Sequence, residues 1–377
     1  MTAISPREQA ALDETLLWLC AMHSPIGEEA AICDAVYARF EKLTLPSKIR
    51  RYQNSLVIPL TRSATKRPHI ALVGHLDTVR TENGPAHIKD GRCFGAGASD
   101  MKSGLAVMIA LAEGGSLAKY GCDLTLVFYS KEEGAYADNE LGPVLDADPE
   151  LGSVDLAVCL EPSDNLLHLG CNGSIHATLT FEGRTAHSAR PWQGDNAVYR
   201  AAPFLSELAA RVPRESNIDG LVYRSVYTVT QAKDGARGRN VVPDRFVLNM
   251  NHRFAPDTTL EHAQASIHAL VAGRATIEFI DLSPAAMPNA NHPLVRALIA
   301  AGVRGVEPKQ AWTDVARFAA RGVPAINFGP GENAQAHQKN ESTSLSLVHE
   351  GLAIMEKWLT SLAQEGPSVL DDAISSV

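Results

Sequence analysis

The chain has 377 residues, 45% hydrophobic and 20% charged, more than one hydrophobic core usually absorbs, so an ordinary soluble globular protein of roughly two domains is predicted. Its 34 basic and 43 acidic side chains leave a formal charge of -9, and no run of Lys or Arg exceeds a pair such as Arg50-Arg51. Phosphate-rich partners need a basic surface, so nucleic acid is excluded and a small polar substrate is favoured. The stretch Met1 to Glu14 carries acids and no continuous apolar core, so it reads as neither signal nor transit peptide, and no apolar window reaches bilayer-spanning length. Cysteines 20, 33, 93, 122, 159 and 171 form no CxxC pair and read as buried thiols, so a cytoplasmic location without membrane partners is expected.

In chain order, Ala10 to Leu43 shows helical spacing (Leu12, Leu16, Leu17, Cys20; Ile32, Val36, Phe40) broken at Ser24-Pro25-Ile26-Gly27, which predicts two helices around a turn. Short apolar runs follow at Ser55 to Leu60, Ile70 to Val73, Leu124 to Tyr129 and Leu156 to Leu160, with a helical stretch at Ser103 to Leu117 between the second and third. Strands alternating with helices predict an α/β layer whose ligands gather beyond the strand ends. From about Ser174 the texture becomes βαββαβ: strands at Ile175 to Phe181, Ser225 to Thr230, Arg245 to His252 and Thr276 to Ile280, with helices at Ala197 to Val212 and Thr259 to Val271. After Pro288 the α/β pattern returns, with a helix at Pro293 to Gly302, a strand at Ala325 to Phe328 and a helix at Leu347 to Leu362. The division expected is a catalytic domain over 1–173 and 287–377, with an α+β domain inserted over 174–286.

Five acid or imidazole signals fall at the strand ends of the α/β layer. His75 and Asp77 in Gly74-His75-Leu76-Asp77 point the same way on an extended chain, the pairing a metal-bound imidazole needs for its second nitrogen. Asp100 sits in the glycine turn Gly95-Ala96-Gly97-Ala98-Ser99-Asp100, where the GxGxxG phosphate-loop spacing fails. Read alone, Asp100 is equally a helix cap. Glu132 and Glu133 end the most apolar strand, Glu161 ends the next, and His337 follows a glycine-rich loop after the Ala325 to Phe328 strand. Each has a bland reading as a solvated turn or a structural hydrogen bond, but a parallel sheet brings such groups to one crevice. A donor set of nitrogen and oxygen without thiolate suits zinc, with cobalt or manganese as substitutes. A pair of ions there would activate water, and an uncoordinated Glu132 would take its proton and pass it to a leaving amine.

Together, Ser24-Pro25-Ile26-Gly27-Glu28-Glu29, Gly74-His75-Leu76-Asp77-Thr78-Val79, Ser99-Asp100-Met101-Lys102-Ser103-Gly104, Glu132-Glu133, Glu161-Pro162, Gly183-Arg184-Thr185-Ala186-His187-Ser188 and His337 resemble the di-zinc aminoacylase/acetylornithine deacetylase/glutamate carboxypeptidase family over nearly the whole chain. The resemblance implies a three-layer di-zinc exopeptidase-like α/β domain with an inserted lid and dimerisation domain. It implies that His75, Asp100 and Glu161 hold one zinc and Asp100, Glu133 and His337 the other. Asp77 would orient His75, Glu132 would be the base, and the Asp100-Met101 bond would be cis. His187 would reach into a partner subunit's site in a homodimer and donate to the developing oxyanion.

Within the family, Ala186-His187-Ser188-Ala189-Arg190, Asn240-Val241-Val242-Pro243-Asp244, Arg253-Phe254-Ala255-Pro256, Trp312 to Phe318 and Asn327-Phe328-Gly329-Pro330-Gly331 resemble the succinyl-diaminopimelate desuccinylases, in their actinobacterial form. That similarity implies an N-acyl amino acid substrate contacted by Arg253, Asn240, Thr313, Arg190 and Gly331. Gly170-Cys171-Asn172-Gly173-Ser174 departs from the Gly-Arg-Arg-Gly-Ser of proteobacterial desuccinylases, and His252 replaces the more usual aromatic or aliphatic residue. An acetylornithine-type deacetylase or a carboxypeptidase on another N-acyl amino acid is the alternative, since only the pocket distinguishes them.

Overall fold

Strands buried on both faces build the first unit, and their near-continuous apolar sequences follow from that. The computed structural model describes residues 4–115, 117–235 and 238–363; the polar C-terminal tail and Ser116, near the end of the expected helix Ser103 to Leu117, lie outside them. His69–His75 is central, paired in parallel with Asp123–Tyr129 on one side and Leu156–Cys159 on the other. Ala325–Asn327 continues the parallel set beside Leu156–Cys159. The sheet has eight strands in the order Arg50–Tyr52, Ser55–Pro59, Asp123–Tyr129, His69–His75, Leu156–Cys159, Ala325–Asn327, Leu167–Leu169, Val306–Pro308. Because the four parallel strands run the same way, the segments after His75, Tyr129, Cys159 and Asn327 leave from one edge of the sheet.

Helix Pro6–Ala21 starts on a capping box: Ser5 Oγ accepts from Glu8 N while Glu8 Oε2 accepts from Ser5 N, with Pro6 in the first turn. It packs on Lys102–Glu113, whose residues are nearly all buried, and Leu345–Ser361 closes against both. Trp358 is fully buried there and donates from Nε1 to Leu294 O at 3.1 Å. A three-stranded sheet unforeseen in the sequence joins Ser342–Ser344, Arg92–Phe94 and His87–Lys89. All six cysteines are buried free thiols. Among the described residues, no helix is long and apolar enough to cross a membrane.

The chain divides into two compact units: one takes the described residues up to Gly170, Asn289–Glu307 and those from Arg317 on, the other Cys171–Pro288 and Pro308–Ala316. The second is a five-stranded antiparallel sheet in the order Arg214–Ile218, Leu221–Asp234, Arg245–Phe254, Gly173–Glu182, Thr276–Ser283. Alternation along Gly173–Glu182 sends Ile175, Ala177, Leu179 and Phe181 into a core shared with Ala201 and Phe204 of helix Ala197–Ala209 and Ile267 and Val271 of helix Leu260–Val271. The added strand, Arg214–Ile218, pairs with Leu221–Asp234 through a two-residue turn in which Asp219 and Gly220 have φ of 52° and 83°. Asp-Gly is the residue pair such a turn favours.

Candidate metal centre

His75 is the last residue of its strand and 1% exposed. Its Nδ1 lies 3.0 Å from Asp77 O, which can only accept, so Nδ1 carries the proton and Nε2 is left to face Asp100 Oδ1 at 3.3 Å. The Asp77 carboxylate is farther from the ring, Oδ1 standing 3.6 Å from Nδ1. It is fully buried and accepts from the amides of Glu132 at 3.1 Å and Glu133 at 2.9 Å. Asp77 therefore bonds His75 through its backbone and fixes the neighbouring acidic loop through its side chain.

Asp100 ends a turn with Gly95 and Gly97 at φ of 153° and 76°. A Cβ on Gly97 would stand 2.7 Å from Thr78 Cγ2, so both space and φ require glycine there. Asp100 is not the helix cap: Lys102–Glu113 starts after Met101 and has no side-chain cap bond. The Asp100-Met101 peptide is cis. Gly331 presses on the same turn, since a Cβ there would lie 2.1 Å from Ser99 O.

Three groups of donor atoms, each within 4.8 Å of one another, are built from these residues: His75, Asp100 and Glu161; Asp100, Glu133 and His337; His75, Glu132 and Glu133. Asp100 belongs to the first two. His337, half exposed and at φ 63°, places Nε2 at 2.9 Å from Glu133 Oε2 and 3.6 Å from Asp100 Oδ2. The hydrogen bond to Glu133 pushes His337 up to about 9, with the charges of Glu133 and Asp100 adding and burial opposing. Burial likewise works against a charged His75, but the hydrogen bond to Asp100 and the charges of Asp77, Glu161 and Glu132 hold it well above the ordinary imidazole range. Anionic surroundings that pull both imidazoles toward protonation are surroundings that attract a cation, and the donors are nitrogen and oxygen only. These residues fit a pair of divalent ions.

In the second unit, Ser188 N donates to Asn240 O at 2.8 Å and Arg190 N to His187 O at 2.8 Å, so His187, Arg190 and Asn240 share two adjoining loops. His187 is exposed, and its Nδ1 accepts from Ala189 N at 3.1 Å, which leaves Nε2 as the donor of the neutral ring. Arg253 lies on the strand Arg245–Phe254, its Nε donating to Asn251 Oδ1 at 2.9 Å and its pKa lowered chiefly by burial. Thr313 is buried, its carbonyl accepting from Cys171 Sγ at 3.7 Å.

Peptidase family M20/M25/M40 matches residues 71–361. The chain is 36% identical over 345 residues to a succinyl-diaminopimelate desuccinylase of Corynebacterium glutamicum, covering 89% of this chain and 93% of that protein. This chain belongs to peptidase family M20/M25/M40. It is a hydrolase, a di-metal amidohydrolase by family. The M20 fold recurs in an aminopeptidase from Bacillus cereus, with a TM-score of 0.77 at 19% identity over 94% of this chain and 99% of that one. It recurs too in a Bacillus subtilis protein described as a dinuclear metal-binding peptidase of the M20 family, with a TM-score of 0.67 at 12% identity over 96% and 99%. The family architecture of a parallel-rich α/β sheet unit and a separate antiparallel sheet unit is the one expected above.

One buried acid of the M20 centre escaped the sequence reading. Glu341 accepts the amides of Gly97, Ser99 and Asp100, and burial pushes it up to about 7 although those bonds pull the other way. The sequence offered only an acid four residues after His337, with nothing to tie it to amides more than 240 positions away.

Proposed function

We propose that this chain hydrolyses the amide of N-succinyl-L,L-2,6-diaminopimelate, releasing succinate and the free amine, at two zinc ions for which cobalt or manganese would substitute. The observation that carries the metal reading is the membership of Asp100 in two donor groups at once, with His75 and Glu161 on one side and Glu133 and His337 on the other. The identity to a desuccinylase across most of both chains supports the substrate. A cytoplasmic, biosynthetic role in diaminopimelate and lysine synthesis goes with it.

Two bound divalent ions supply Lewis acidity to the amide carbonyl and lower the pKa of a water. Glu132 is the general base, accepting the water's proton and delivering it to the leaving amine. Its amide is held by Asp77, so the carboxylate stays at the mouth of the centre beside His75 and Glu133. The same Asp77 bonds the Nδ1–H of His75 through its carbonyl, which keeps Nε2 as the donor atom. His187, whose Nε2 is a donor in the neutral ring, is the reading's oxyanion donor, supplied across a homodimer through the inserted unit. Arg253, Asn240, Thr313, Arg190 and Gly331 are the proposed substrate contacts.

The test is amine release by zinc-loaded protein from N-succinyl-L,L-diaminopimelate and N-acetylornithine side by side, with a metal-stripped control. Preference for the succinyl substrate that disappears without zinc is the expected result. Preference for N-acetylornithine would overturn the substrate and leave the hydrolytic centre standing.

A further inference from the structure

Glu341 is 2% exposed and belongs to none of the donor groups. Its Oε2 accepts from Gly97 N at 2.9 Å, and its Oε1 from Ser99 N and Asp100 N, each at 2.8 Å. The backbone closes the same junction, with Gly95 N donating to Glu341 O at 3.0 Å and Glu341 N donating to Asn83 Oδ1 at 2.8 Å. The Gly95 to Asp100 turn is thus tied to Glu341 through the amides of residues 95, 97, 99 and 100.

A turn with glycines at positive φ holds its shape only if its backbone is held. Here one carboxyl group accepts three of the turn's amides, at 2.8–2.9 Å. Both oxygens of Glu341 accept from amides of the turn and the residue joins no donor group, so it serves the turn. What the turn delivers is Asp100, which belongs both to the group with His75 and Glu161 and to the group with Glu133 and His337, its Oδ1 3.3 Å from His75 Nε2 and its Oδ2 3.6 Å from His337 Nε2.

We propose that Glu341 is the positioning residue for the shared aspartate: by fixing the amides of Gly97, Ser99 and Asp100 it sets the one side chain that serves both donor groups. This rests on the two-ion reading above. It has a signature that loss of an individual ligand lacks, because a misplaced Asp100 weakens both ions together.

The experiment uses the full chain as Glu341→Gln and Glu341→Ala, with Asp100→Ala as reference. Zinc affinity is read by competition with a chromophoric chelator, the visible absorption of the cobalt-loaded form is recorded, and the melting temperature of the stripped protein is measured. Gln keeps the shape but sets an NH₂ group against at least one of the three amides, so both ions should weaken by about 10–100-fold, the range for losing a group that orients a ligand. The cobalt bands should shift in protein whose stripped melting temperature stays near wild type, an effect that general loosening of the fold does not produce. Should Ala fail to fold, Gln decides. Unchanged zinc affinity and cobalt spectrum in Glu341→Gln, with Asp100→Ala impaired, would overturn the role of Glu341 alone; an unimpaired Asp100→Ala would overturn the two-ion reading and this proposal with it.

Discussion

Replacing His252 with Phe should remove a pH-sensitive element from the second unit. The imidazole is 3% exposed, stacked on Tyr227 at 3.9 Å with a 3° interplanar angle, and Nδ1 donates to Val226 O at 3.1 Å. Burial pushes it down to about 4, with Arg214 and Arg211 adding and the Val226 carbonyl opposing. In the unfolded chain the ring titrates near about 6.5. The unfolded state therefore binds a proton below about pH 6.5 that the folded state refuses until about pH 4, so stability is complete above that window and is lost as pH falls through it. At about 1.4 kcal/mol per unit, lowering the pH from about 7 to about 5 should cost roughly 2 kcal/mol. Phe keeps the stack but gives up one neutral hydrogen bond, a loss of about 1 kcal/mol at neutral pH. The two stability curves should cross, the variant being weaker by about 1 kcal/mol near pH 7 and stronger by about as much near pH 5. Urea unfolding followed through Trp312, in the same unit and donating from Nε1 to Pro284 O, measures this across the pH range. Parallel curves for the two proteins, or a His252 proton resonance titrating near 6.5 in the folded wild type, would refute the reasoning.

The metal centre and the core give further expectations. Glu132→Gln should retain both ions and lose about 10²–10⁴-fold in turnover; since Glu132 also lies in a donor group with His75 and Glu133, metal stoichiometry decides between base and ligand, and a lost ion would make it a ligand. His337→Ala should lose one ion while the fold is kept, because the ring is half exposed; two ions retained by elemental analysis would remove it from the centre. Trp358→Ala should destabilise the protein by about 3–5 kcal/mol, the large-aromatic range for a fully buried site, and a melting temperature within the scatter of surface substitutions would count against the packing of the first unit.

The strand ends of the first unit were legible because each chemical signal followed an apolar run whose direction could be inferred. Register then did the rest: His75 pairs with Tyr129, and Val73 with Cys159, so the segments carrying Glu132, Glu133 and Glu161 emerge beside the histidine. The strand Arg214–Ile218 was hidden for the opposite reason. It is an edge strand, mostly exposed, and Arg-Glu-Ser-Asn shows little of the alternation that marks a half-buried strand; only the Asp219-Gly220 pair pointed to it. Ser342–Ser344 and Arg92–Phe94 span three residues each and pair across most of the chain, so neither carries a local signal of its partner.

The same distinction explains what was missed inside the centre. A motif names residue types, but which atom does the binding depends on tertiary contacts. Asp77 was legible as a companion of His75, yet its carboxylate is given to the amides of Glu132 and Glu133, and the ring is met by its carbonyl. Glu341 lies more than 240 positions from the amides it accepts. Backbone N–H groups carry no sequence identity, so a carboxylate bound only to amides has no partner residue type to give it away. Asp77 and Glu341 hold the two loops that carry Glu133 and Asp100, so it is bonds to backbone amides, which no motif spells out, that bear on the geometry of the readable acids.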